Sequence, residues 1–123
     1  MASLVAVVVA HDSAEALPAC LSALAAEHVP AIVVDNASRD RSVEIAEAAG
    51  AQVIRNGRNE GYGRANTRGI RAAAQARYVL ILNPDVTLRP GAAEVLLAAS
   101  AERQAGKASA LSCATTTATR LAT

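Results

Sequence analysis

The sequence predicts an α/β domain with an open, mostly parallel sheet and helices on both faces. Two observations predict it. Short β-branched runs alternate with Ala- and Leu-rich segments of helical period, and a new strand begins roughly every 25 residues. That rhythm is typical of parallel strands joined by right-handed helical crossovers. With 52% hydrophobic and 19% charged residues, the chain has a globular composition, and we expect the domain to span residues 1–104.

The four predicted strands are continuous apolar runs, as expected where both faces of a sheet are buried. They cover residues 3–11, 31–35, 51–56 and 77–83. The last run stops abruptly at "NPD", Asn83 to Asp85, because proline has no N–H to donate to a sheet ladder. An aspartate therefore follows the end of the fourth strand.

Each predicted helix has a start or stop signal in the sequence. Ser13 should cap the first helix, with an apolar stripe from Leu17 to Leu24 facing the sheet. Ser38 or Asp40 should cap the second helix, which Gly50 should end. The last two helices are predicted over residues 64–75 and 90–103, with Pro90 in the first turn of the latter.

Charge and aromatic content argue against a nucleic-acid partner. The net charge is +1 and the isoelectric point is near 7.8, so the bulk composition gives no reason to expect a polyanion. The chain has two Tyr but no Phe or Trp, which leaves few platforms for stacking single-stranded bases.

Cysteine usage and hydropathy bear on the compartment. Cys20 and Cys113 match no zinc or CxxC spacing, so we expect Cys20 to be a reduced core residue of a cytoplasmic protein. The longest apolar run, residues 4–10, is too short to cross a membrane and lacks the basic flank of a signal peptide. No transmembrane segment is expected.

Polar residues follow all four strands, at ends that a parallel sheet brings to one edge. These clusters are His11-Asp12-Ser13, Asp35-Asn36-Ala37-Ser38, Asn56-Gly57-Arg58-Asn59 and Asn83-Pro84-Asp85. In open α/β sheets ligands bind outside the carboxyl ends of the strands. The sequence therefore predicts a site for a charged small molecule at this edge.

Each cluster also has a plain structural interpretation. Asp12, Asp35 and Ser38 could be caps or turn residues, and His11 could be a core histidine with its hydrogen bonds satisfied. The "RNEGYGRAN" segment could be a loop that needs positive φ at its glycines. Their coincidence at one edge favours binding.

Other nucleotide-binding classes lack their signatures here. A dinucleotide-binding fold needs a Gly-rich turn after the first strand, where this chain has "AHDSAE". No P-loop motif is present, and the third strand ends in Asn where a phosphoacceptor receiver domain would want Asp. The turn after the first strand also lacks the basic, Gly-rich loop of a nucleotidyltransferase.

Four ordered segments carry a resemblance to a known family. They are "VAVVVAHDSAEALPACLSAL", "IVVDNASRDRSVEIAEAAGAQVIRN", "NEGYGRANTRGIRAA" and "YVLILNPDVTLRPGAAEVLL". Together they resemble the family 2 glycosyltransferases, which are inverting enzymes with the GT-A fold, and they look most like the bacterial rhamnosyltransferase branch. The match runs from about residue 4 to residue 97.

The resemblance implies roles for residues at all four strand ends. The substrate-binding residues it implies are His11, Asp12, Asp35, Asn36, Asn59, Arg64, Asn66 and Asn83. Asp35 would accept a hydrogen bond from the imide N–H of uracil or thymine. Asp85 would bind Mg²⁺ or Mn²⁺, which bridges the two phosphates of the donor, and Arg58 or Arg64 would offset diphosphate charge.

The resemblance also implies the reaction. A family member transfers a sugar from a nucleoside-diphosphate donor to a saccharide or lipid-linked acceptor. The resemblance favours rhamnose, from dTDP-rhamnose, with a UDP-sugar as the alternative donor, and it places the full-length form at the inner face of the membrane. Its general base lies well beyond the "NPD" element, but no acidic residue follows Glu102. The alternative is a catalytically inactive nucleotide-binding remnant that self-associates through uncovered apolar surface.

Residues 105–123 differ in character from the rest. They are Ala- and Thr-rich and have no clear period, so we expect an unanchored tail, with a β-strand as the alternative. If the Ala and Thr codons end in G, "CATTTAT" read in another frame encodes Arg-Asp-Asp-Asp-Gly-Asp. This peptide resembles the acidic loop that follows the corresponding helix in members of the family. The hypothesis is a frameshift near Gly106, and the coding DNA would test it.

Overall fold

Strands and helices alternate along the part of the chain that the computed structural model describes, residues 4–104 and 119–122. The strands are β1 (Leu4–Ala10), β2 (Ala31–Asn36), β3 (Gln52–Asn56), β4 (Tyr78–Leu82) and β5 (Thr119–Ala122). The helices are α1 (Leu17–Ala26), α2 (Ser42–Ala48), α3 (Tyr62–Ala72) and α4 (Ala92–Gln104). The predicted alternation is confirmed, with boundaries moved by up to four residues.

The strands form one sheet in the order β3-β2-β1-β4-β5. β1 to β4 are mutually parallel, whereas β5 runs antiparallel to β4. The chain steps outward from β1 to β3 and then returns to the other side of β1 for β4. The carboxyl ends of four strands consequently meet at one edge, as the sequence predicted.

The side chains of β1 alternate between two packed layers. Ala6 and Val8 face α1, α2 and α4, while Val7 and Val9 face α3. We call these the three-helix face and the α3 face. Since β1 is central, both of its sides are shielded from water, which explains why its sequence is a continuous apolar run.

The three-helix face holds the larger core. The predicted stripe of α1 is buried there, namely Leu17, Cys20, Leu21 and Leu24. Leu80 and Leu82 of β4 and Leu96 of α4 complete its centre. At the usual 1.5–3 kcal/mol for burying one large aliphatic side chain, this layer contributes most of the hydrophobic stabilisation.

The α3 face depends on a close approach between helix and sheet. A Cβ built on Gly69 would overlap the Val7 Cγ1 methyl, so only glycine lets α3 lie this close to β1. α3 packs over β1 and β2. Val5, Ile54 and Ile81, which flank the contact on the same face, stay partly exposed.

Two helix starts differ from the prediction. α1 begins at Leu17 with Ala16 as its N-cap, and α2 begins at Ser42 with Arg41 as its N-cap; neither N-cap makes a side-chain hydrogen bond. Ser13 contributes to α1 only through its backbone carbonyl, which accepts from the Leu17 N–H at 3.0 Å. The side chains of Ser13 and Ser38 bond elsewhere, at the edge described below. Asp40 does bond the start of α2, because its Oδ1 accepts from the Ser42 N–H at 2.9 Å.

The C-terminal segment also differs from the prediction. The expected unanchored tail includes β5, so the alternative of a strand holds for residues 119–122. The remainder of that segment, 105–118 and 123, lies outside the described residues, as does the predicted frameshift position. Among the described helices, none has the length and apolar content needed to cross a membrane.

Candidate functional site

The loops that follow β1 and β2 are joined by reciprocal hydrogen bonds. Backbone N–H groups of one loop donate to side chains of the other. The pairs are Asp12 N to Ser38 Oγ (2.8 Å), Ser13 N to Ser42 Oγ (2.8 Å), Ala14 N to Asp40 Oδ2 (3.0 Å) and Arg39 N to Asp12 Oδ1 (2.7 Å). Buried or half-buried N–H groups need such partners. Ser38, Ser42 and Asp40 therefore cap the neighbouring loop.

Asp35 lies at the end of β2 with only 3% of its surface exposed. One carboxylate oxygen accepts from the Ser38 N–H at 3.0 Å and the other from the Ser38 hydroxyl at 2.6 Å. A carboxylate can accept about four hydrogen bonds in all, so both oxygens retain lone pairs. Its role as acceptor for a base imide stays a prediction.

Asn36 ties three strand-end segments together. Its side-chain N–H donates to the Gly61 carbonyl at 3.1 Å, and its Oδ1 accepts from the Asn56 side-chain N–H at 2.7 Å. The residue is 2% exposed. Both polar atoms of the side-chain amide therefore hydrogen-bond within the protein. They join the ends of β2 and β3 to the loop of residues 57–61, which we call the glycine loop.

His11 is oriented by the same segment. Its Nδ1 lies 2.8 Å from the Asn36 carbonyl, and because a carbonyl only accepts, Nδ1 carries the proton. Nε2 lies 3.7 Å from the Asp12 carboxylate. Asp12 has φ of 49°, a left-handed conformation that Asp tolerates better than most residues. The ring is half-exposed and faces the cavity described next.

A cavity of about 370 Å³ opens at this edge. Its lining residues are Val9, His11, Ser13, Asn36, Asn59, Gly61, Tyr62, Asn83 and Pro84. They come from the carboxyl ends of the four parallel strands and the start of α3. The volume is in the range of about 300–1,000 Å³ usual for small-molecule sites. The structure therefore brings together four predicted residues: His11, Asn36, Asn59 and Asn83.

The other predicted residues lie outside this lining. Arg64 lines a neighbouring cavity of about 550 Å³ along α3. Asn66 is buried in α3, and its Oδ1 has no hydrogen-bond partner among the described residues. Asp12 and Asp35 accept hydrogen bonds from the loops beside the cavity.

Asp85 lies in the turn after β4, exposed to solvent. The turn is closed by the Val86 N–H, which donates to the Asn83 carbonyl at 3.0 Å. Burial, and secondarily the charge of Asp85, raise the pKa of the Cys20 thiol to about 11. Asp85 is therefore near enough to α1 to act on it electrostatically, and Cys20 stays a protonated core thiol.

In the part of the chain that the structure describes, few side chains near Asp85 could ligate the predicted metal. Among the described residues, no three His, Cys, Asp or Glu side chains converge on a possible metal position. Asp85 is an exposed carboxylate, a type of ligand that Mg²⁺ and Mn²⁺ accept when phosphates and water supply the other oxygens. A metal held by Asp85 together with a diphosphate therefore stays a prediction.

Sequence reasoning missed Tyr62 as a lining residue. It is the first residue of α3, 51% exposed, and directly follows Gly61, whose φ is 85°. The available signal was its rarity, because the chain contains only two aromatic residues and one of them directly follows the glycine loop. An exposed aromatic in such a chain is a candidate ligand contact.

Comparison with known proteins decides the family. The family model for "Glycosyl transferase family 2" matches residues 5–110. The chain belongs to glycosyl transferase family 2. The family assigned from four sequence motifs is thereby confirmed.

Relatives of this family 2 chain include a curated protein and several solved structures. A TPR repeat-containing protein of Synechococcus elongatus is 34% identical over 88 residues, which are 72% of this chain and 22% of the relative. Residues 1–349 of S. aureus TarS superpose with a TM-score of 0.74 at 20% identity, over 85% of this chain and 33% of that one. TarS has also been solved in complex with UDP.

Glucosyl-3-phosphoglycerate synthase from Mycobacterium tuberculosis is a further structural relative. It superposes with a TM-score of 0.66 at 21% identity, over 79% of this chain and 39% of the synthase. That structure contains Mn²⁺, UDP and glucosyl-3-phosphoglycerate. These likenesses confirm the GT-A-type α/β fold. The family 2 chain spans about a fifth to two fifths of the length of these relatives.

Proposed function

We propose that this chain is the donor-binding part of an inverting glycosyltransferase and binds a nucleoside-diphosphate sugar at the carboxyl edge of its sheet. The cavity that His11, Asn59, Tyr62 and Asn83 line is the observation that carries this proposal. It lies where open α/β sheets bind ligands. The UDP complexes of TarS and of the synthase, two proteins of similar fold, support a nucleotide ligand.

The residues divide the ligand between them. Tyr62 offers an exposed ring against which a base or sugar packs. Asp35 retains lone pairs for the imide N–H of a pyrimidine, and Asn59 and Asn83 offer amides to the sugar hydroxyls. Arg64, at the start of α3, contributes positive charge toward the diphosphate.

Asp85 holds a divalent metal in this proposal. Mg²⁺ or Mn²⁺ bound there, with diphosphate oxygens, supplies charge neutralisation for the leaving nucleoside diphosphate. The synthase, a relative of similar fold, has been solved with Mn²⁺ and with Mg²⁺ in the presence of UDP, which supports this choice of metal. Asn83 in place of a first carboxylate makes the metal site weaker than one with two carboxylates.

Calorimetric titration of the 123-residue chain with UDP and dTDP, with and without Mn²⁺, tests the proposal. We expect binding that Mn²⁺ strengthens. Asp85→Ala should lose more than about tenfold in affinity with Mn²⁺ present, because a contact between charged groups is worth about 1.5–3 kcal/mol. Glu47→Ala, which removes an exposed carboxylate from α2, is the matched control and should bind like the parent.

The donor sugar and self-association are narrower proposals. The "NPD" element favours dTDP-rhamnose, so dTDP should bind more tightly than UDP; tighter UDP binding would contradict it. The partly exposed Val5, Ile54 and Ile81 support self-association through the α3 face. Light scattering should then show dimers at high protein concentration that persist in high salt, since apolar contacts are not screened.

Donor binding without transfer is the second candidate function. It is favoured by the lining of the cavity, which among the described residues contains no Asp or Glu, because an inverting transferase uses a carboxylate base to deprotonate its acceptor. The purified chain should then bind nucleotide but leave nucleotide sugars intact. Release of UDP or dTDP from a nucleotide sugar by the chain alone would refute this candidate.

A further inference from the structure

Charge is divided between the two sides of the sheet, although the net charge of the chain is only +1. Residues 51–77 contain six arginines and a single carboxylate, Glu60. Residues 11–50 contain seven carboxylates and two arginines. α3, which carries three of these arginines, lies on one face, and α1 and α2 lie on the other, which is also the face that Arg55 of β3 shares with Val53. The molecule therefore has a basic side along α3 and a less organised acidic side.

The basic side is centred on a row of guanidinium groups on α3. Arg64, Arg68 and Arg71 follow the spacing i, i+4, i+7, which places them along one exposed side of the helix. We call these three residues the arginine stripe. They line the cavity of about 550 Å³, together with Glu60, Gly63 and Thr67.

Among the described residues, a single carboxylate, that of Glu60, forms an ion pair with the stripe. Arg68 binds Glu60 with two hydrogen bonds, from Nε at 2.6 Å and from Nη2 at 3.0 Å. The hydrogen bond from Arg68, together with the charges of Arg58 and Arg64, lowers the pKa of Glu60. Within residues 4–100, Arg58, Arg64 and Arg71 form no ion pair, so the stripe carries a surplus of positive charge.

The acidic side has no matching stripe. Asp12, Asp35 and Asp40 accept hydrogen bonds from backbone groups of the strand-end loops. Glu27 accepts from the Ala93 N–H, and Glu44 pairs with an arginine on its own helix. These carboxylates are largely occupied within their own molecule. A second copy of the chain therefore offers the stripe few free carboxylates in a row.

We propose that the arginine stripe, with Arg58, is a docking surface for an anionic lipid membrane. A row of guanidiniums along an 11-residue helix, about 16 Å long, matches an extended layer of phosphate groups better than one small anion does. The acidic side points away from the surface and orients the molecule. The surface shares Arg64 with the proposed donor function, whereas Arg68 and Arg71 have no part in that function, so a substitution of Arg71 tests docking without touching the donor site.

Co-sedimentation with lipid vesicles tests this docking surface. The chain should bind vesicles of phosphatidylcholine with about 30% phosphatidylglycerol but not phosphatidylcholine alone, and high salt should release it. Arg71→Gln should weaken vesicle binding about fivefold, the effect usual for one basic residue at an anionic surface. Arg41→Gln, which removes the exposed arginine at the N-cap of α2 on the opposite face, is the matched control and should bind like the parent.

Several results would overturn the proposal. One is equal binding to neutral and anionic vesicles, or no binding by the parent chain. Another is an equal loss in Arg71→Gln and Arg41→Gln, which would show that only net charge matters. Displacement from vesicles by millimolar inorganic phosphate at constant ionic strength would indicate a site for free phosphate. Arginine-dependent binding to RNA, or salt-sensitive self-association, in place of vesicle binding would assign the stripe to those partners.

Discussion

The two faces of the sheet differ in how much they bury and in what they carry. Among the residues whose burial the structure describes, 4–100, the three-helix face buries a cluster of 18 apolar residues under α1, α2 and α4, whereas the α3 face buries seven under one helix. The larger layer supplies most of the stability. The thinner layer holds the glycine loop, Tyr62 and the arginine stripe. Most of the stability is therefore assigned to one face, while the proposed ligand contacts lie at the carboxyl edge and on the other face, and the difference is open to test.

A pair of adjacent substitutions on β4 gives the largest expected difference. Leu80 is fully buried on the three-helix face, and Ile81 is partly buried on the α3 face. Leu80→Ala should lower the free energy of unfolding by about 3–5 kcal/mol, because a closed core cannot collapse around the cavity. Ile81→Ala should cost about half as much. Urea unfolding followed by circular dichroism measures both, and equal losses would contradict the comparison.

The close packing of α3 gives the next effect. Gly69→Ala should lower the free energy of unfolding by about 1–3 kcal/mol, since the new methyl overlaps Val7 and pushes α3 off β1. Gly63→Ala on the same helix is the control. Nothing lies within 4 Å of the added Cβ there, so the gain in helix propensity of up to about 1 kcal/mol should dominate. Equal responses at the two glycines would mean that α3 does not press on the sheet as described.

The hydrogen bonds that join the loops after β1 and β2 give the smallest expected effect on stability, and this effect depends on pH. The hydrogen bond from the Ser42 hydroxyl is the main cause that lowers the pKa of Asp40 below its ordinary 3.8. A lowered pKa in the folded state adds stability above about pH 4 that is lost as pH falls through the folded pKa. The stability difference between the parent and Asp40→Asn should therefore shrink from pH 6 to pH 3.

Acid unfolding curves of the parent, Asp40→Asn and Ser42→Ala measure this effect. Ser42→Ala should remove most of the same pH dependence, because it deletes the hydroxyl that donates to Asp40. A difference between parent and Asp40→Asn that stays constant with pH would contradict the assignment. Asp40 is exposed, so the change should be small beside that of Leu80→Ala.

The polar edge shows where sequence reasoning succeeded and where it failed. The four clusters that follow the strands do meet at one edge, because parallel strands align their carboxyl ends. Four of the predicted residues, His11, Asn36, Asn59 and Asn83, share one cavity there. Asn36, however, uses its side-chain amide within the protein. Residue type and position predicted the place, but not which polar atoms remain free for a ligand.

The sequence by itself determined the alternation of strands and helices, the buried stripe of α1 and the edge that gathers polar residues. These follow from local hydrophobic period and from the rule that parallel strands end together. The long-range partners of Ser38, Asp40 and Ser42 follow from the tertiary structure alone. Ser38 and Asp40 are predicted as helix caps, with Ser38 also as a possible turn residue, and Ser42 has no predicted role. Their partners are N–H groups 26 to 29 residues away, and local propensity carries no information at that distance.

The separation of charge between the two sides of the molecule is a second feature that depends on the tertiary structure. Residues 11–50 are acidic and residues 51–77 are basic, but these opposite charges cancel in the net charge of +1, which does not show them. The crossover that places α3 alone on its face turns this difference along the chain into two differently charged sides. Charge acts through distance in space, so its consequences are fixed only when the fold sets those distances.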